Sequence, residues 1–198
     1  METKTSRRRL TSRQLVVIGM LSGITIFMGL TGIGFIPIPP VKLTIMGVPV
    51  IIGAILEGPL VGGLVGLVFG LFGMYQAIAA PFPTSPLFLN PITSLVPRIL
   101  IGVITYYVYR ALRNRFKKES VAIGISAIVG SLVNTVGVLG CIYIFGLNQY
   151  ASLLHISKNS VLGALGIIAG TNGIPEAIIC TVITIPVVLA VMKIKKRR

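Results

Sequence analysis

Long apolar runs, separated by short polar or proline-rich breaks, dominate the chain. The first run, Gln14 to Thr31, follows a polar and basic stretch. A Gly- and Pro-rich loop from Gly32 to Lys42 comes next and contains Phe35-Ile36-Pro37-Ile38-Pro39-Pro40. Proline lacks the amide donor that a helix interior requires, so this stretch predicts a break. A short run, Leu43 to Leu56, stops at Glu57-Gly58-Pro59, and Leu60 to Ile78 follows it. Ala79-Ala80-Pro81-Phe82-Pro83-Thr84-Ser85-Pro86 is too proline-dense for a helix. Two more runs extend from Pro91 to Tyr109 and from Val121 to Phe145. A polar loop, Gly146 to Asn159, precedes the last run, Ser160 to Met192, which is interrupted near Asn172-Gly173-Ile174-Pro175. A membrane-crossing helix needs about 20 mostly apolar residues. The pattern therefore predicts an all-α membrane protein with six transmembrane helices. Residues 14–192 form its single domain, between basic tails at 1–13 and 193–198.

Composition supports the bilayer as the solvent for this chain. Of 198 residues, 54% are hydrophobic and only 11% charged, against about 25% charged in soluble domains. The Arg7-Arg8-Arg9 start resembles the basic region of a signal peptide, but the run after it is long and lacks a small-residue cleavage site. It is read as the first span.

The net charge of +14 would suggest a nucleic-acid partner in a soluble protein. Its placement argues for topology instead, with no nucleic acid involved. Fifteen of the 18 Lys and Arg fall in three clusters at the ends of apolar runs. They are Lys4 to Arg13, Arg110 to Lys118, and Lys193 to Arg198. Basic residues concentrate in cytoplasmic loops. Six spans put all three clusters on that side, whereas five or seven would split the two ends. Both termini and the Glu57 turn are thus expected in the cytoplasm, with the Pro-rich and polar loops outside.

Ionisable groups inside spans are costly and mark function by default. Two lie deep: Arg98, about 10 Å of helical rise into its span, and Glu176, midway along the last run. They either pair with each other or leave Arg98 to meet an anionic substrate group, since a guanidinium suits a carboxylate by bidentate geometry. Polar residues gather at similar depth: Asn90, Thr93, Ser94, Asn134, Thr135, Thr171 and Asn172. With Tyr75 and Gln76, they point to a small-molecule pocket opening outward, with the Pro-rich loops as lids. His155 is expected in an outer loop, facing solvent. Glycines at small-xxx-small spacing let helices approach closely. Gly62, Gly66 and Gly70 are expected to pack within the bundle, while Gly19 and Gly23 lie where a partner helix could dock.

Other chemistries lack their residues. The sequence has no Walker A motif, HExxH or GxSxG, and its acidic residues are four Glu and no Asp. Paired-carboxylate metal sites and proton relays are not expected. Cys141 and Cys180 sit inside apolar runs without metal-ligand spacing and read as small buried hydrophobes. The sequence thus offers a binding site without an engine: no catalytic residue, metal or cofactor is expected.

Several segments resemble the S components of energy-coupling factor (ECF) transporters, over nearly the whole chain. Gly19 and Gly23 stand where that family carries a small-xxx-small motif, usually with alanines, that docks on the coupling subunit. Ile45 to Gly62 looks like the family's hairpin between spans 2 and 3. Pro83 to Pro91, followed by Pro97-Arg98, resembles pantothenate-type members. The resemblance implies a multi-pass protein of the bacterial cell membrane that captures a vitamin from outside. It would work with a T subunit and two cytoplasmic ATPases and topple in the membrane to release its substrate. Pantothenate, a carboxylate that Arg98 could hold, is the first choice. Riboflavin, cobalamin, pyridoxine and hydroxymethylpyrimidine are the alternatives within the family. The competing class is a self-sufficient carrier or channel.

Overall fold

The computed structural model describes residues 10–38, 41–80, 85–153 and 156–196. Helix α1 spans Ser12–Leu30. It starts at a capping box: the Thr11 hydroxyl accepts the Gln14 amide at 3.3 Å, and the Gln14 side chain accepts the Thr11 amide at 3.1 Å. A hairpin of two short strands follows, β1 at Phe35–Ile38 and β2 at Val41–Thr44, with Phe35 opposite Thr44. Helix α2, Val48–Glu57, turns sharply through Gly58 into α3, Pro59–Ala79. Gly58 holds φ +108°, a conformation that favours glycine. Pro59 then opens α3 at the position where a missing amide costs least.

After a short turn of helix, α4 at Ser85–Phe88, come α5 (Pro91–Arg113) and α6 (Glu119–Phe145). A brief α7, Leu147–Leu153, leads to α8, Lys158–Ile168. One π-helical turn, Ala169–Gly173, joins α8 to α9, Ile174–Lys196. Pro175 cannot donate to the carbonyl four residues back, so the helix widens there instead of stopping.

Five segments are long and apolar enough to cross a membrane: α1, α3, α5, α6 and the 37-residue stretch from Ser160 through α9. Helix α2 has only 10 residues, about 15 Å against a hydrocarbon core of about 30 Å. It is nonetheless the most enclosed helix, buried continuously from Val48 to Ile55 among α1, α3, α5 and α9. The hairpin and α2 together make the second crossing. Ion pairs at one end of the bundle establish the parity of the crossings. The Glu57 carboxylate takes Arg13, in α1's first turn, at 2.7 Å and Lys195, at the end of α9, at 3.6 Å. Lys196 reaches Glu119, at the start of α6, at 3.9 Å. The start of α1, the end of α9, the α2–α3 turn and the start of α6 thus share one face, as six crossings require.

Three loop expectations need correction. Residues 43–47 were expected in a helix, but β2 and a turn occupy them. The hairpin pairs backbone groups that a bare loop would leave unsatisfied near lipid. Ser85 and Pro86 are helical because proline is tolerated in a first turn; residues 81–84 lie outside the described residues. The polar stretch 146–159 contains α7 and the start of α8, and His155 also lies outside the described residues.

The glycine ridge of α3 packs internally. A Cβ on Gly66 would collide with the Arg98 carbonyl of α5, and one on Gly70 would stand 2.8 Å from the Ser94 carbonyl. A Cβ on Gly62 would stand 2.6 Å from the Ala54 methyl of α2 and 3.0 Å from the Gly102 α-carbon of α5. Ser94 ties the seam by donating its hydroxyl to the Gly70 carbonyl at 3.0 Å. This close approach fixes α5, and with it Arg98, against α3.

Candidate functional site

Helix α5 is built to present Arg98 inward. Asn90 caps its start, its side-chain oxygen accepting the Ile92 amide at 3.0 Å, and Pro91 fills the first helical position. Pro97 then interrupts the hydrogen-bond ladder. With no amide, it leaves the Thr93 carbonyl without its helical donor. Arg98 takes that carbonyl: its Nη1 donates to Thr93 O at 2.8 Å. On the far side, Pro97 rests against Gly137 of α6, where a Cβ would stand 2.9 Å from the proline ring. The Pro-Arg dipeptide thus frees an acceptor and supplies the donor that uses it.

Arg98 is only 8% exposed, and its guanidinium lies between two rings. Its carbon lies 5.5 Å from the Phe69 ring centroid and 5.4 Å from that of Phe88, within cation–π range. Its Nε has no hydrogen-bond partner. Among the described residues, no ion pair reaches it. The second buried charge, Glu176, is 7% exposed and forms no salt bridge with Arg98 among the described residues. Glu176 instead accepts a hydrogen bond from Asn134 Nδ2 of α6 at 3.3 Å. The oxygens of Asn134 and of Asn172, on the π turn, are buried without a partner. A buried polar group without a partner costs free energy. Arg98 on α5 and Asn134 on α6 thus carry an unused donor and an unused acceptor, and Asn172 adds a second unused acceptor on the π turn, which packs against α6.

The expected site residues therefore fall into two sets. Arg98, Asn134, Asn172 and Glu176 form the deep set. Tyr75, Gln76 and Asn90 sit nearer the outer end. Asn90 is about 12 Å of helical rise above Arg98, and the antiparallel register of α3 on α5 places Tyr75 and Gln76 at its level. Tyr75 is 58% exposed, and its ring lies 5.9 Å from Phe72. No hydrogen bond among the described residues joins the two sets. Thr135 and Thr171 bond to carbonyls in their own helical turns, and Ser94 is used at the α3 seam. Phe69 and Phe88 escaped the sequence reading because phenylalanine in an apolar run looks like packing. The Pro97-Arg98 pair was the signal that could have pointed to Thr93.

Gly19 and Gly23 lie on the opposite flank. A Cβ on either would meet nothing within 4 Å. Their neighbours Val16, Met20 and Phe27 are more than 60% exposed. Two open clefts, of about 470 and 480 Å³, lie away from Arg98: one at the cytoplasmic end, one along α1, α2 and α9.

A family model for the ECF transporter substrate-specific component matches residues 13–188. The pantothenic acid transporter PanT of Lactococcus lactis subsp. cremoris is 36% identical over 168 residues, 78% of this chain and 80% of that protein. The pantothenate transporter PanT of Leuconostoc mesenteroides subsp. mesenteroides is 33% identical, over 74% of this chain and 75% of its own. A solved structure of the S component of a bacterial ECF transporter shares the fold, with a TM-score of 0.62 at 20% identity over 93% of this chain and 98% of that one. The chain belongs to the substrate-specific components of ECF transporters: it is a multi-pass protein of the bacterial plasma membrane that binds a substrate for transport and is not an enzyme.

Proposed function

We propose that this chain captures pantothenate from outside the cell and delivers it together with a T subunit and two cytoplasmic ATPases. The observation that carries the substrate is Arg98: a buried guanidinium with an unpartnered Nε and no ion pair among the described residues. Such a group favours an anion, and a carboxylate meets its planar fork with two parallel hydrogen bonds. Pantothenate carries one carboxylate, and its hydroxyls and amide supply donors. The unpartnered oxygens of Asn134 and Asn172 would accept from them. Both PanT relatives transport the same compound by their names. Tyr75, Gln76 and Asn90 would form the outer rim that substrate passes.

The partnership has separate support. The open face of α1 around Gly19 and Gly23 would admit a helix of the T subunit at close approach. Residues 14–192 act as one binding unit in this reading, with the basic segments 1–13 and 193–198 in the cytoplasm. Mass spectrometry of small molecules released from the purified protein tests the substrate, and pantothenate is the expected species. Another vitamin, held in equal molar amount to the protein, would replace it. Co-purification with a T subunit and paired ATPases tests the partnership. Uptake by the chain alone in vesicles would contradict it and make the protein a self-sufficient carrier.

A further inference from the structure

Helix α2 is short, and both α1 and α9 pack on it. They leave a groove of about 480 Å³ between them, floored by Ile52 and Leu56 and walled by residues such as Val17 and Val191. Every lining residue is apolar. On α1 the groove runs from Val17 to Met28, about 16 Å of helical rise. That matches the depth of one leaflet, about 15 Å as half of a hydrocarbon core.

Its cytoplasmic mouth is charged. Arg13 lies one turn below Val17, Lys195 lies one turn beyond Val191, and both bind Glu57, next to Leu56. The Arg13 and Lys195 side chains remain 57% and 48% exposed, whereas Glu57 is 10% exposed. The cations therefore keep free donors while the carboxylate is covered. Leu56 also borders the adjoining cleft of about 470 Å³, which Arg110, Arg113 and Lys195 line together with Tyr106 and Tyr109. Among the described residues, Arg13 and Lys195 thus flank Glu57 at this end of the groove, and Arg110 and Arg113 line the cleft beside it.

We infer that this groove binds an anionic phospholipid of the cytoplasmic leaflet, one acyl chain lying between α1 and α9 and the phosphate held by Arg13 and Lys195. The ligand changes from apolar to anionic at the depth where the groove does. Basic clusters at the cytoplasmic boundary attract anionic headgroups, and the groove adds a seat for the chain.

The chain contains no tryptophan, so one introduced indole can report on the lipid beside it. Val187→Trp places it in the groove, and Ile128→Trp places a control at similar depth on α6, where Ile128 is 41% exposed. Each variant, full length, is reconstituted into mixed vesicles in which either phosphatidylglycerol or phosphatidylcholine carries brominated chains. Quenching at Val187→Trp should favour phosphatidylglycerol by at least about fivefold over phosphatidylcholine, with little preference at Ile128→Trp. Adding Arg13→Gln with Lys195→Gln should bring the groove ratio close to that of the control. Equal ratios at the two positions, or a groove ratio unchanged by the charge substitutions, would overturn the inference. So would a groove indole that neither lipid quenches, because a second copy or another helix would then cover it.

Discussion

Glycines at four-residue spacing occur on both α3 and α1, and their surroundings differ completely. On α3, Gly62, Gly66 and Gly70 press against the α5 backbone so closely that a Cβ would meet a carbonyl or an α-carbon at each. On α1, Gly19 and Gly23 face nothing within 4 Å. The spacing makes close approach feasible, but it does not say whether the approaching helix belongs to the same chain. The neighbours decide. The α3 seam carries a buried serine bond across it, whereas the α1 face is bordered by exposed Val16, Met20 and Phe27. One seam is closed within the chain and fixes α5 against α3, and the other is open.

Substitutions separate the two. Gly66→Leu should have the largest effect, because its Cβ meets backbone that cannot swing aside. We expect a loss of about 3 kcal/mol or more, seen as a lower unfolding temperature in detergent or as failure to recover monodisperse protein. A stable Gly66→Leu variant would mean that α3 and α5 pack less closely than described. Ser94→Ala removes the hydroxyl bonded to Gly70 O and should cost about 1 kcal/mol by the same thermal measurement. Gly19→Trp combined with Gly23→Trp should change stability by no more than about 0.5 kcal/mol, as for exposed positions generally. Substrate binding by the isolated chain should persist while uptake by the assembled transporter is lost. Intact uptake in that double variant would remove the docking role from α1.

Much of this architecture is legible in the sequence because the bilayer imposes simple rules. Six apolar runs and three basic clusters give the crossings and their sense, and the Arg13–Glu57–Lys195 contacts join the same elements in space. Arg98 and Glu176 stand out because charges inside spans are rare. What escaped follows from the same physics. The hairpin at residues 35–44 is hidden because its prolines signal a break without showing that the flanking backbone pairs. The capping role of Asn90 is hidden as well, since a side-chain oxygen before Pro91 suits a cap and a site equally. Thr93 contributes through a main-chain carbonyl that no side-chain pattern reveals. Whether Arg98 and Glu176 pair directly depends on the rotation of α5 and α9. The structure keeps them apart, with Asn134 on the carboxylate and the Thr93 carbonyl on the guanidinium.

The most direct test is equilibrium binding of radiolabelled pantothenate to the purified chain and to its Arg98→Ala variant, with thermal unfolding run alongside. The wild-type chain should bind one pantothenate saturably. The variant should lose about 1.5–3 kcal/mol of binding, the range for hydrogen bonds to a charged group, or at least a tenfold rise in Kd. An unaltered Kd in a variant that unfolds at the wild-type temperature would contradict the account, because the anion would then be held elsewhere.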